Sequence, residues 1–273
     1  MAFMWPRRTT GRLMKYYYRE NITRWAKIKV AGKTHEAECF DGFASRSFLE
    51  AALPRLSFSA PNPVVLEVGC GTGVGACFLA ERGFRVDGID IIPTAIDIAR
   101  QVAAERNLDV RYALQDICTL ARHGKTYDMV VDSYCLQGIV LEEDREKVFS
   151  NVRAVLKATG YYLVSTAMFD EERFRHADTI FDRASGVLYN RYGEDGIIDA
   201  KTGVVYVEVG ERPLEYEDAE SIEGKWYLPS RRHLKSPALR AELKAAGFDV
   251  LHQSGDYGEN VICVQAGSGT CLR

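Results

Sequence analysis

A short apolar segment runs through one acid into a loop with glycine at every second position: Val64-Val65-Leu66-Glu67-Val68-Gly69-Cys70-Gly71-Thr72-Gly73. Alternating glycines permit a turn that side chains would obstruct, and they remove the Cβ atoms that would hold a ligand away from the backbone. Val74 to Glu81 then reads as a helix, with Cys77, Phe78 and Ala80 available to pack on a sheet. Strand, glycine loop and helix make the first half of a nucleotide-binding α/β unit. The loop alone is ambiguous, because Gly71-Thr72-Gly73-Val74-Gly75-Ala76 also satisfies the looser dinucleotide pattern.

The downstream acids narrow the choice. Phe84 to Asp90 predicts a second strand that ends on a carboxylate. Asp90 lies about 20 residues past the glycines, where an acid at a strand tip meets the hydroxyls of a ribose. A third strand, Asp109 to Leu114, leads into Gln115-Asp116-Ile117, in which the acid can accept from an adenine amino group while the aliphatic side chain covers the ring. A fourth, Tyr127 to Tyr134, is apolar in its middle and polar at its carboxyl end. Each acid also has a plainer reading. Asp90 can cap the helix begun by Pro93, Asp116 can cap a short helix from Ile117 to Arg122, and Asp132 can hydrogen-bond a loop.

With these four segments in this order, the chain resembles the class I S-adenosylmethionine-dependent methyltransferases of small-molecule type. The resemblance covers Pro63 to Thr166 and, in outline, Ser236 to Gln265. It implies an α/β fold: a seven-stranded Rossmann-like sheet of order 3-2-1-4-5-7-6 with helices on both faces. A nicotinamide-dependent dehydrogenase is the main competitor, but no second mononucleotide-binding half is visible. By resemblance, Glu67, Gly69, Cys70, Gly71, Gly73, Asp90, Ile91, Asp116, Ile117 and Asp132 form the cofactor site. The cofactor implied is S-adenosyl-L-methionine, with S-adenosyl-L-homocysteine as product and no metal. Gln137 stands where many relatives carry a His, which puts any mechanism that uses that His in doubt.

Organisation follows from pattern and length. The 273 residues, 47% hydrophobic, suffice for one large core, so a single methyltransferase domain is expected. Within it, residues 1–62 precede the sheet, 63–167 and 230–266 form the core, and 168–229 interrupt it. Core elements include helices at Ser45 to Leu56 and Glu143 to Lys157, a fifth strand at Tyr161 to Thr166 and a last helix stopped by Gly247. Phe248 to Gln253 and Asn260 to Gln265 close the sheet. In the insertion, Gly203 to Val209 reads as a strand that pairs with Val187 to Tyr192 across residues 193–202. The N-terminal segment and the insertion are expected to form a lid over the acceptor.

Net charge −3 gives no general pull toward nucleic acid. Seven cysteines, Cys39, Cys70, Cys77, Cys118, Cys135, Cys263 and Cys271, form no C-x-x-C pair, which favours reduced thiols and a cytoplasmic location. No apolar run approaches the about 18 residues of a membrane span. The expected partner is a small-molecule methyl acceptor.

Catalytic residues are hard to read, because a sulfonium-borne methyl group needs in-line placement more than a base. Candidates are His233, Tyr17 and Asp132, with Tyr17, Tyr134, Gln137 and Arg231 as substrate contacts. Tyr17 belongs to Lys15-Tyr16-Tyr17-Tyr18-Arg19, whose rings can face a cation or merely pack one side of a helix. Arg231-Arg232-His233 can bind a carboxylate or be surface charge. His35, His123, His176 and His252 have no partner pattern. Arg7, Arg8, Arg12, Lys15, Arg19, Arg24, Lys27, Lys29 and Lys33 face only Glu20 over the same span, so RNA binding, a transit peptide and a solvated face remain alternatives for the N-terminus. Protein methylation and non-catalytic cofactor binding are further alternatives.

Overall fold

The computed structural model describes residues 15–17, 42–120, 124–175, 177–216 and 218–273. Its central strand is β1 (Val64–Val68), with four of its five residues buried. Parallel partners flank it: β2 (Arg85–Asp90) on one side and β4 (Tyr127–Ser133) on the other. β3 (Val110–Leu114) lies outside β2, and β5 (Leu156–Ser165) lies outside β4. The antiparallel pair β12 (Phe248–Ser254) and β13 (Asn260–Gln265) completes the sheet through β13 on β5. Numbered without the insertion, the order is the expected 3-2-1-4-5-7-6.

Because β1 is central, both of its faces are covered, which is why its sequence is apolar at both parities. Leu66 and Val68 face one core with α4 (Glu142–Val155) and α6 (Ser236–Ala245), through Val148, Phe149, Val152, Leu239 and Leu243. Val65 faces the other, built with α1 (Arg46–Ala52), α2 (Val74–Ala80) and α3 (Pro93–Glu105). α3 begins on Pro93, whose missing N–H costs nothing at a first helical position, and it buries Ala95, Ile96, Ala99 and Ala103 along one stripe.

The insertion starts with the single helical turn α5 (Glu171–Phe174) and builds a second, antiparallel sheet of order β10-β11-β9-β8-β7-β6. Its strands are β6 (Thr179–Asp182), β7 (Val187–Tyr192), β8 (Gly196–Asp199), β9 (Val204–Val209), β10 (Glu220–Ile222) and β11 (Lys225–Arg232). The chain leaves and re-enters the core at neighbouring points, where Met168 bridges Leu234 and the Phe169 amide donates to the Leu234 carbonyl.

Three local expectations are corrected. β7 and β9 do not pair with each other: the stretch between them contains β8, which pairs with both. The turns on either side of β8 use Gly193 and Gly203 at φ +68° and +74°, so what reads as one long loop is two tight reversals. The fourth helix stops at Val155, and β5 starts at once at Leu156, with a register shift before Tyr161. The short helix after Asp116 is a 3-10 turn confined to Ile117–Thr119. In addition, β11 continues to Arg232, three residues past the expected end of the insertion at 229.

A buried ion pair ties the helices of one face to the sheet. Arg145, 2% exposed, gives Nε and Nη2 to the two carboxylate oxygens of Glu242 on α6, at 2.6 and 2.7 Å. Its Nη1 donates to the carbonyls of Leu136 and Ile139 at 2.7 and 3.0 Å. Removing the guanidinium leaves the Leu136 and Ile139 carbonyls without their donor and Glu242, 21% exposed, without its counter-charge. Arg145→Ala is therefore expected to cost about 2–3 kcal/mol of stability in chemical denaturation. A loss below about 1 kcal/mol would show that Glu242 finds water instead.

Candidate functional site

A cavity of about 420 Å³ opens at the carboxyl ends of β1, β2 and β4. This is where strand order reverses in open α/β sheets, and the volume falls in the roughly 300–1,000 Å³ range of small-molecule sites.

The glycine loop forms its floor. Gly69 has φ +63°, and a Cβ there would sit 2.5 Å from Cβ of Cys135. Gly73 has φ +77°, and a Cβ there would strike the Tyr112 ring, whose hydroxyl donates to the Gly73 carbonyl at 3.2 Å. Glu67, Gly69, Cys70, Gly71, Asp90, Ile91, Asp116 and Ile117 all border the cavity. Gly73 and Asp132 do not. Gly73 serves the turn into α2, its amide donating to the Cys70 carbonyl at 2.8 Å.

The two acids at the strand tips are held in place by the backbone. Asp90 accepts from the amide of Gly71 through Oδ2 and from that of Ile92 through Oδ1, each at 2.9 Å. Burial pushes its carboxyl up to about 6, against the pull of these N–H groups. Asp116 caps the 3-10 turn by accepting from the Cys118 amide at 2.8 Å, and it borders the cavity as well. For Asp132 the structural reading prevails. Its Oδ1 accepts from the amides of Cys135 and Leu136 at 2.9 and 3.1 Å, and its Oδ2 is buried with no hydrogen-bond partner among the described residues. Burial pushes this carboxyl up to about 7.

The rest of the wall comes from distant parts of the chain. Ser133 and Tyr134 lie at the end of β4, and Tyr134 is left-handed at φ +62°, a conformation uncommon for a residue with a side chain. Gln137, Gly138 and Ile139 belong to the turn whose carbonyls Arg145 holds. Phe43, Ala44 and Ser45 come from the approach to α1, and the Ser45 hydroxyl lies 2.8 Å from that of Ser133. Ser230 and Arg231 come from β11, and Tyr17 from the N-terminal segment. The four expected substrate contacts, Tyr17, Tyr134, Gln137 and Arg231, thus border one cavity.

Two catalytic candidates are corrected. Tyr17 donates its hydroxyl to the Asp144 carboxylate, and burial together with that partner raises its pKa steeply, so the phenol stays protonated and cannot act as a base. Neighbouring Lys15 pairs with Glu143 and Asp144 at 2.6 Å each, so this segment is fastened to the acidic first turn of α4. His233 is buried outside the cavity wall, its ring edge-on to Tyr192 at 5.6 Å. Burial, then Arg231 and Arg173, push it down to about 4. Tyr18, His35, His123, His176, Cys39 and the basic residues of the N-terminus other than Lys15 lie outside the described residues. The six described cysteines form no disulfide with one another, and no cluster of three or more His, Cys, Asp or Glu side chains suited to a metal occurs among the described residues. No described helix is long and apolar enough to cross a membrane.

Comparison with known proteins agrees with this geometry. Residues 65–160 match the family model described as a methyltransferase domain. Over 102 residues the chain is 31% identical to a ubiquinone biosynthesis O-methyltransferase of Coxiella burnetii, covering 37% of this chain and 42% of that one. Over 138 residues it is 33% identical to a 2-heptyl-1-hydroxyquinolin-4(1H)-one methyltransferase of Mycobacteroides abscessus, covering 45% and 60%. The match therefore spans less than two thirds of either relative. A crystal structure of an S-adenosylmethionine-dependent methyltransferase from Clostridium acetobutylicum shares the fold, with TM-score 0.55 at 15% identity over 91% of this chain and 99% of that one. The core of the chain is thus similar to a methyltransferase domain over residues 65–160 and shares the fold of an S-adenosylmethionine-dependent methyltransferase.

The carboxyl of Asp132 gives a test with a defined sign. Its folded pKa lies above the ordinary 3.8, so the folded chain binds the proton more tightly than the unfolded one. Stability contributed by this group is therefore full at low pH and falls as pH rises from 3.8 to about 7. Asp132→Asn keeps a carbonyl for the two amides and removes the titration. Its stability relative to wild type, read by urea denaturation, should rise with pH across that window; a difference independent of pH would show that Asp132 is not the group responsible.

Proposed function

We propose that the protein is an S-adenosylmethionine-dependent methyltransferase that acts on a small-molecule acceptor by direct displacement. The observation that carries this reading is the convergence of Gly69, Gly71, Asp90, Asp116 and Ile117 on one cavity, beside a second wall made by Tyr134, Gln137, Ser230, Arg231 and Tyr17. The first group fits the donor: a side-chain-free floor, an acid suited to two ribose hydroxyls, and an acid with an aliphatic cover suited to adenine. S-adenosylmethionine supplies a methyl carbon activated by positive sulfur, to which the acceptor gives a lone pair while the sulfur–carbon electrons return to sulfur.

The chain's own residues then have limited tasks. Asp90 and Asp116 orient the adenosyl group. Tyr17, anchored through Asp144, closes the cavity and limits water. Tyr134 and Gln137 orient the acceptor in line. No base is needed for an acceptor that arrives ionised; one that arrives protonated releases its proton to solvent. The N-terminal segment and the insertion act as the acceptor-side cover, a reading supported by the lining positions of Tyr17, Ser230 and Arg231. A small acceptor is favoured over RNA because Lys15, the described member of the basic stretch, is already committed to Glu143 and Asp144. The two curated relatives include one named for a hydroxyquinolone acceptor. Free thiols fit a cytoplasmic setting.

S-adenosylmethionine and S-adenosylhomocysteine are expected to raise the Tm of the protein. Asp90→Asn should weaken donor binding about tenfold or more in calorimetry, since a charge-assisted pair of hydrogen bonds is lost. An unchanged Tm with either compound would remove the donor assignment.

A further inference from the structure

We infer that Arg231 anchors an anionic oxygen group of the methyl acceptor, so that the substrate class is a small acid or ionised hydroxyl compound. This rests on the methyltransferase reading above and extends it to the other half of the cavity.

Arg231 is the one cationic side chain among the described residues that border the cavity. It is half-buried, and among the described residues no carboxylate comes within ion-pairing distance of it. Its neighbour Arg232 is different: that guanidinium donates to the carbonyls of Thr202 and Val140 at 3.0 and 3.4 Å and so holds the insertion to the core. A half-buried guanidinium without a counter-charge is costly to keep, and it offers a planar fork that matches a carboxylate or similar oxygen pair.

The strand is also bent to present it. Along β11, Pro229 pairs with Tyr206 and Arg231 with Val205, leaving Ser230 as the extra residue of a bulge. In a regular strand, neighbouring residues point to opposite faces; here Ser230 and Arg231 both border the cavity. Bulges re-aim side chains next to binding sites in this way.

Charge across the cavity is divided accordingly. Glu67, Asp90 and Asp116 belong to β1, β2 and the turn after β3, the donor's side. Arg231 belongs to the insertion, and the remaining polar wall, Ser45, Ser133, Tyr134, Gln137 and Ser230, carries no ionised group. An acceptor with an anionic oxygen complements that arrangement.

The test uses the full chain and the low-molecular-weight fraction of a cell extract, split by anion exchange into retained and unretained pools. With methyl-labelled S-adenosylmethionine, the retained pool is expected to take up label, and Arg231→Gln to lower that uptake at limiting acceptor about tenfold or more, with Arg231→Lys recovering part of it. Without turnover, on protein saturated with S-adenosylhomocysteine, the retained pool should raise the Tm of wild type and not of Arg231→Gln. Label confined to the unretained pool, or undiminished in Arg231→Gln, overturns the inference while leaving the methyltransferase reading intact. Absence of label in both pools, with S-adenosylmethionine still raising the Tm, overturns the inference and the small-molecule reading together. Weakened S-adenosylhomocysteine binding in Arg231→Gln assigns the guanidinium to the donor's own carboxylate, and also overturns it.

Discussion

The site depends on β1 being paired in parallel with β2 on one side and β4 on the other. Parallel pairing brings the carboxyl ends of all three strands to one edge, and the chain leaving β1 and the chain leaving β4 must then diverge. The crevice between them cannot be filled by the main chain, so it is left as the cavity. The Cys70 amide, donating to the Ile89 carbonyl at 3.0 Å, extends the β1–β2 ladder into the glycine loop, and Asp90 accepts from Gly71 one step further on. The loop is thus a continuation of the sheet, with the rigidity of the sheet behind it.

Buried carboxylates are used in two ways around this edge. Asp90 borders the cavity, and the cost of its burial is partly offset by the backbone N–H groups of Gly71 and Ile92. Asp132, two strands over on β4, spends its hydrogen bonds on the turn that starts at Cys135. That same turn is gripped from the other side by Arg145, so the Leu136–Ile139 segment is fixed at both its amides and its carbonyls. Gln137 is therefore presented to the cavity by a turn with little freedom to move.

Most of the cavity wall formed by the strand tips was legible in the chain because its pattern is local. Glycine at positions 69, 71 and 73 follows directly from a strand, and Asp90 and Asp116 each follow directly from the next strands. The acceptor half was legible only as a set of candidates. Tyr17 and Arg231 were named as substrate contacts from residue type, and Tyr17 and His233 also as catalytic candidates. Neither catalytic role survives, since the Tyr17 hydroxyl is spent on Asp144 and His233 faces the insertion's own core. Ser45 and Ser230 were missed altogether. Ser230 carries no signal, because a bulge is decided by how β11 registers against β9 and no residue of β11 announces it.

Period and punctuation along the chain determined the sheet order, the glycine floor and the two strand-tip acids that border the cavity, since each rests on contacts between residues near in sequence or on strand alternation. The fold alone decided which of the remaining polar residues reach the cavity. Tyr17, Ser45, Gln137 and Arg231 are separated by long stretches of chain, and their meeting depends on the insertion sheet and residues 15–17 docking against the same edge. Docking of that kind is governed by shape and by ion pairs such as Lys15 with Asp144, interactions between partners 129 residues apart that no local pattern encodes.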